Sequence, residues 1–557
     1  MSLGIVPLFA FDFGLFFLPG LAAATMLAAR HKLCAVYAAI LTVIVSAALG
    51  YAAFWIYFGS KLAGRIFSFG LLFVAAFVLA RSLKNSQIRL LIRSMAAPFA
   101  YVFVAGLCYL CFFFLFSNPF TSRVDLANVR FFDGVRPGDD LIPYIFAERI
   151  YDQQPLKPFC CGDWLSSDRP PLQAGIFLLQ RPIRFVGNAG LQYQLLGTAL
   201  QCLWVCGVWA FLKSIRASDK RIRQVLGFLV FSGFLFYNSL YLWPKLLSAG
   251  LMLFAFALIA KVAIEDRRIS ALETTLTAAS FALAILAHPG GIFSAPALAV
   301  VLVAKRKLWT ARHWVLGVIV IGLFVAPWMS YQKLYDPPGN RLVKMHLAGV
   351  GGIDSRSIWQ AIRDAYENRS LATIAEYKLS NVLTLFGRGP TNITRPAPSR
   401  YAQREYVWDA LGIINLGWLA ALMLFLRKKS ARAIPYARWI TLAALFNFLI
   451  WSIVIFGPRG TITAHGSYTD ILLLSVGLLG FLLTWPRLVL FLLLAVQVFN
   501  FFVVWVWFKP VSVTTWANPT AAPELQISML IAGLVCAGGL LWYFGRSYWE
   551  PPANHLR

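Results

Sequence analysis

Apolar positions in this chain come in long unbroken stretches, not at the alternating or one-face spacing of a water-soluble fold. The runs beginning at Leu33, Ala97, Val225, Thr274, Trp439 and Leu488 each continue for about 20 residues or more before the next Lys, Arg, Asp or Glu, the length needed to cross about 30 Å of hydrocarbon. The pattern predicts about fifteen spanning helices, at approximately 4–28, 33–58, 63–80, 97–117, 191–212, 224–243, 246–264, 270–287, 291–304, 313–332, 408–426, 438–456, 468–484, 487–508 and 526–545. The span at 291–304 is short, and a re-entrant course is the alternative for its neighbours. Strands of about ten alternating residues, which a membrane β-barrel requires, are not seen. The predicted fold class is all-α and polytopic, with two long polar loops at about 118–190 and 333–407.

Composition and charge fix how such a bundle sits. Hydrophobic residues make up 59% and charged residues 13% of the 557 positions, about half the charged share of a soluble protein. The mean hydropathy is +0.69. A net charge of +27 would ordinarily suggest nucleic acid. Here Lys and Arg fall mostly in short loops between apolar runs, where they set membrane orientation, and nucleic acid is not expected as a partner. With the N-terminus outside, the inner loops hold 26 of the 50 Lys and Arg, the short outer loops hold five, and the two long loops hold the other 19. The positive-inside rule, scored on short loops, then puts both long loops outside and the C-terminus in the cytoplasm. The expected location is a bacterial-type cytoplasmic (inner) membrane. No basic segment precedes the first apolar run, so Ala22-Ala23-Ala24 reads as part of a retained helix, not a cleavage site. Cys108 and Cys111 form a CxxC inside an apolar helix with no second pair, and the cysteines give no metal pattern.

The long outer loops carry most of the acids. In the first, Ile142, Ile145, Phe146 and Ile150 fall at helical spacing after Gly138, which predicts an amphipathic helix at the membrane surface. Asp139 and Asp140 would stand at its N-terminus, where capping is the plain alternative to chemistry. The pair belongs to an ordered series: Asp139-Asp140, Tyr144, Ala147-Glu148-Arg149, Gly162-Asp163-Trp164 and Arg169-Pro170-Pro171-Leu172. The series resembles the first outer loop of the GT-C membrane glycosyltransferases, specifically the aminoarabinose lipid A transferase and protein O-mannosyltransferase group. That group carries an acidic pair followed by Tyr, an Ala-Arg-Glu stretch, a Gly-Asp-Trp and a Lys-Pro-Pro-Leu.

The resemblance implies that Asp139 is the catalytic carboxylate, with Asp140 second, because counting back from Tyr144 favours the latter. It implies that Arg169 takes the place of the family's phosphate-contacting lysine. Pro143 stands where the family often has Arg. Residues 1–95 hold three helices that the family usually lacks, and 96–557 would form the GT-C-like core. The resemblance also implies a polyprenyl-phosphate sugar donor. A phosphate leaving group needs cations and not a protonated acid, and one carboxylate suffices as base for the acceptor hydroxyl.

Further candidates lie at the outer ends of the spans. Lys245, in Tyr241-Leu242-Trp243-Pro244-Lys245, faces the donor phosphate or snorkels to headgroups. His288, in His288-Pro289-Gly290-Gly291, is a sugar or phosphate contact or simply part of a tight helical hairpin. Arg341, Lys344 and His346 present cations just above the membrane, for a phosphate-bearing lipid or for headgroup anchoring. Arg459, His465 and Tyr468 resemble the family's late segment near the donor, with Ser467 where Arg is common. Asp12 lies inside the first helix and is left without a role. The expected phosphate ligands are thus Arg169, Lys245, Arg341, Lys344, Arg459 and His465, and the expected substrate contacts are Tyr144, His288, His346 and Tyr468. No metal ligand set is assigned, and a divalent metal stays open. The reading is an inverting, lipid-phosphate-sugar-dependent glycosyltransferase whose acceptor is an envelope lipid or glycan more readily than a protein. The alternative is a lipid-linked sugar transporter or flippase, which would place ionisable groups near the midplane and show paired repeats.

Overall fold

The structure, a computed structural model, describes residues 4–30, 33–115, 126–132, 138–160, 164–183, 188–387, 396–427, 433–457, 468–507 and 523–550. Among them, eleven helices are long and apolar enough to cross a membrane, from Ile5–Ala28 to Leu525–Tyr548. Three shorter apolar helices join them, Ala271–Ala287, Pro289–Ala304 and Tyr468–Leu482. Fourteen of the fifteen expected spans therefore correspond to an apolar helix. The fifteenth, at 224–243, is broken into Asp219–Val230 and Gly233–Leu240. The break has a packing cause. A Cβ on Gly233 would lie 1.8 Å from the Trp505 indole nitrogen, so the backbone there approaches another helix too closely for any side chain.

The first two helices pack into the body of the bundle. A Cβ on Gly175 would sit 2.3 Å from the Gly50 carbonyl oxygen, which brings Ala35–Gly59 directly against Leu172–Gln180. Polar links tie the first two helices to other parts of the bundle. Tyr51 donates to the Phe324 carbonyl at 2.8 Å, and the Gln180 amide donates to the carbonyl of buried Asp12 at 3.3 Å. Lys61–Ser82 behaves differently. Only Gly64, Ser68, Leu72 and Ala75 are buried, a narrow stripe, while Phe73 and Phe77 face outward as residues in lipid do.

The first long loop forms the expected helix, Ile142–Tyr151, with Ile142, Phe146 and Ile150 buried. Its N-cap residue is Leu141, whose side chain makes no cap hydrogen bond. Glu148 forms a two-pronged ion pair with Arg181, at 2.5 and 2.9 Å. That pair fastens the helix to the chain beyond Leu172–Gln180.

Candidate active site

Three sharp breaks in helical structure aim side chains at one place. Pro244 has no backbone N–H to donate. It separates Gly233–Leu240 from Lys245–Glu265 and makes Lys245 the first residue of a span. Pro289 does the same after Ala271–Ala287, leaving His288 at the junction, where its Nδ1 accepts from the Gly290 N–H at 2.9 Å. Pro170 and Pro171 precede Leu172–Gln180 and set Arg169 just outside it. Asp139 lies in the turn before Ile142–Tyr151.

These residues line a cavity of about 660 Å³. Asp139, Arg169, Lys245, His288 and His346 contribute to its wall, and Trp164, Trp243, Trp328 and Trp451 make much of the rest apolar. Arg169 donates to Asp139 Oδ2 at 3.1 Å, and both side chains are nearly enclosed, at 5% and 10% exposed. The guanidinium also lies over the rings of Trp164 at 4.7 Å and Trp243 at 5.5 Å. A planar cation is held in one orientation by such contacts, which an ammonium would not reproduce. The Lys245 ammonium sits 3.4 Å from the centre of the Trp243 ring and 5.1 Å from that of Tyr468. It is buried, yet among the described residues it has no carboxylate partner and no hydrogen-bond acceptor. It also stands at a helix N-terminus, where the backbone adds partial positive charge.

The other expected residues divide. His346 lines the cavity beside Phe293. Tyr468 is buried next to Lys245 and donates to Asn238 Oδ1 at 2.9 Å, which orients it away from the cavity wall. Arg341 and Lys344 belong to the helix Arg341–Ala348 but do not reach the cavity. Arg341 pairs with Asp168 at 3.4 Å and covers the Trp164 ring at 5.1 Å, while Lys344 donates to the Asp354 carbonyl at 2.6 Å. They brace the wall that Leu342, Val343 and Met345 complete. Asp140 is buried with its backbone carbonyl accepting from Tyr193 at 3.1 Å, and it is not part of the wall. Tyr144 packs on Phe177 and Tyr193 behind the acidic turn. Arg459, His465 and Asp163 lie outside the described residues.

Two acids that the sequence did not single out organise the surroundings. Asp336 is fully buried. It accepts from the Ser166 hydroxyl at 2.6 Å and the Ser167 N–H at 3.0 Å, and it meets Lys157 at 3.2 Å. It thereby ties the second long loop to the first. Asp168 accepts from the Leu165 N–H at 3.0 Å, and burial pushes its carboxyl above the ordinary range against the pull of that bond, Arg341 and Arg169. The wall residues Trp328 and Trp451 also went unmarked, because a tryptophan at a span end reads as an ordinary interface residue. Among the described residues, no three His, Cys, Asp or Glu side chains gather as a metal set.

No protein-family model matches the chain, and no curated protein matches it. Among solved structures it is similar to the crystal structure of ArnT from Cupriavidus metallidurans bound to undecaprenyl phosphate. The identity is 14% and the TM-score 0.44, covering 81% of this chain and 77% of that one.

Proposed function

We propose that this protein is an inverting membrane glycosyltransferase that moves a sugar from a polyprenyl-phosphate donor to an acceptor hydroxyl at the outer membrane face. The observation that carries the reading is the meeting of Asp139, Arg169 and Lys245 in one largely apolar cavity, with the Lys245 ammonium lacking any acceptor among the described residues. A buried charge without a partner costs several kcal/mol, so a site built this way suits an anionic ligand. A separate, apolar cavity of about 260 Å³ lies toward the opposite ends of Ala271–Ala287, Pro289–Ala304 and Ala311–Ser330. It is lined by Phe281, Leu298, Leu302, Val318 and Ile321.

The chemistry follows from the placement. The acceptor oxygen attacks the anomeric carbon from the face opposite the phosphate. Its proton passes to Asp139, and the bond between that carbon and the phosphate oxygen breaks. The electron pair stays on the phosphate, where Lys245 and Arg169 stabilise it. Attack from the opposite face inverts the anomeric centre. Arg169 holds one oxygen of Asp139 and aims the carboxylate. His288 and His346 face the same space and contact sugar or acceptor. An envelope lipid or glycan is the acceptor class that a membrane-surface cavity of this kind serves best.

The test is transfer by the purified protein in lipid nanodiscs, supplied with a polyprenyl-phosphate sugar and envelope lipid extract and followed by mass spectrometry. Formation of a sugar-bearing acceptor together with free polyprenyl phosphate supports the proposal. A transporter would leave the donor's sugar–phosphate bond intact, so movement of unchanged donor across sealed vesicles with no free polyprenyl phosphate would overturn it. Comparing envelope glycolipids from cells with and without the protein would name the sugar.

A further inference from the structure

A second polar cavity lies at the other end of the bundle. Asp140 meets Tyr193 at the start of the Ala189–Ser214 span, and Lys213, in its last turn, pairs with Asp219 just beyond it. Those 26 residues are about 39 Å of helix. The cavity beyond that end measures about 820 Å³ and is lined by Lys220, Arg221, Arg223, Arg487, Asp219 and Glu550, with Leu483, Trp485 and Leu490 beside them.

Its charges do not cancel. Asp219 pairs with Lys213, outside the lining, and Glu550 pairs with Arg223. Among the described residues the remaining cations pair with no carboxylate. Arg221 donates to Gln224 Oε1 at 2.8 Å and to the Leu483 carbonyl at 3.1 Å, and Lys220 donates to the Glu550 backbone carbonyl at 2.6 Å. Arg487 has no partner among the described residues. Neutral acceptors fix these side chains in place without using up their charge. Two helices of twelve and fifteen residues, Asp219–Val230 and Arg487–Phe501, also begin at the rim, adding partial positive charge from their N-termini. Burial and the neighbouring charges of Arg487 and Arg221 hold the Lys220 ammonium below its ordinary range. Orientation by the positive-inside rule would need only the presence of such cations in an inner loop. It would not need three of them turned into one cavity, two of those held by carbonyl and amide oxygens.

We propose that this cavity is a binding site for a phosphate anion, supplied by an anionic phospholipid headgroup or by phosphate in solution. The apolar side chains at its edge suit a headgroup whose tails run into the inner leaflet, and the three uncancelled cations supply charge-assisted hydrogen bonds. The site is separate from the Asp139 cavity, and nothing in it depends on the proposed transfer reaction.

The experiment is a thermal-unfolding titration of the full-length protein in neutral detergent with three probes: dihexanoyl-phosphatidylglycerol, dihexanoyl-phosphatidylcholine and inorganic phosphate. The expected result is a concentration-dependent rise in the unfolding midpoint with phosphatidylglycerol, phosphate or both, and a smaller one with the zwitterionic lipid. A response to phosphatidylglycerol without one to phosphate assigns the headgroup, and a response to phosphate assigns the free anion. The double variant Arg221→Gln/Arg487→Gln should bind at least about tenfold more weakly, the scale of one lost hydrogen bond to a charged group. The double variant Arg81→Gln/Arg312→Gln, in other inner loops, should respond as the wild type does. Should Arg221→Gln/Arg487→Gln fail to fold, Arg487→Gln alone, on an exposed side chain, gives the same reading. No midpoint shift with any anion, or an unchanged response from the Arg487→Gln variants, would overturn the proposal.

Discussion

The cavity around Asp139 and the cavity around Arg221 are both ringed by cations at an end of the same bundle, yet they hold their charges differently. At the Asp139 end the ion pair is almost sealed, with Arg169 and Asp139 at 5% and 10% exposure between tryptophan rings. At the Arg221 end the one internal pair, Arg223 with Glu550, is 14% and 35% exposed, and Lys220 and Arg221 lean on backbone and amide oxygens. Solvent screens the second arrangement and barely reaches the first. The difference teaches that the number of cations does not mark a reaction site. An ion pair buried inside an apolar wall costs folding energy that binding alone does not require, whereas an open cluster suits reversible anion capture.

The sharpest way to break that contrast is Asp139→Asn. The amide oxygen can still accept from Arg169, so the unfolding midpoint should hardly move, while transfer falls by about a hundredfold or more, the scale of a lost general base. Near-normal transfer by the purified variant would remove Asp139 from the chemistry and make the outer cavity another anion site. The same change at Asp140, outside the wall, should cost less.

Arg169→Ala comes next. It leaves Asp139 buried and unpaired, so a stability loss of about 3–5 kcal/mol is expected in thermal unfolding together with a higher KM for donor. Arg169→Lys should restore part of the transfer, since the charge returns without the stacking on Trp164 and Trp243. Equal and normal activity in both variants would reduce Arg169 to a structural charge. The two lysines then separate facing the cavity from bracing it. Lys245→Met should weaken donor use by about tenfold, the loss of one charge-assisted contact, and Lys344→Met by clearly less. Equal effects in steady-state kinetics would show that the wall as drawn is wrong. The smallest effect belongs to Asp336→Asn, expected to lower stability by about 1–2 kcal/mol through weaker bonds to Ser166 and Ser167. Its kcat should be retained. A large kcat loss there would extend the site into the clip between the two loops.

The two helices bearing Arg341 and Lys245 show where reading along the chain stops. Hydropathy predicted Lys245 at the outer end of a span, and Pro244 fixes it as a first helical residue. Arg341 and Lys344 carried the same signal, cations just above the membrane next to a turn. They brace the wall from behind, because Asp168 and Asp354 accept from them there. Nothing local distinguishes the two cases. The distinction depends on how one helix is rotated against its neighbours, which the sum of many distant contacts decides. The broken span at 224–243 has the same origin. Its apolar run is continuous, and the interruption at Ser232–Gly233 reflects Trp505, more than 250 residues later, pressing on the backbone.

The sequence by itself determined an all-helical membrane chain, fourteen of its apolar helices, the helix Ile142–Tyr151 and the acidic turn before it. These follow from properties read residue by residue: the length of an apolar run, helical spacing, and prolines that cannot continue a helix. Only the tertiary structure decided that Asp139, and not Asp140, joins Arg169, Lys245, His288 and His346 at one cavity, and that the first two helices pack into the body of the bundle. Those five side chains span more than 200 residues of sequence, and what brings them together is close packing of helices at glycine contacts, which depends on the shape of both partners at once.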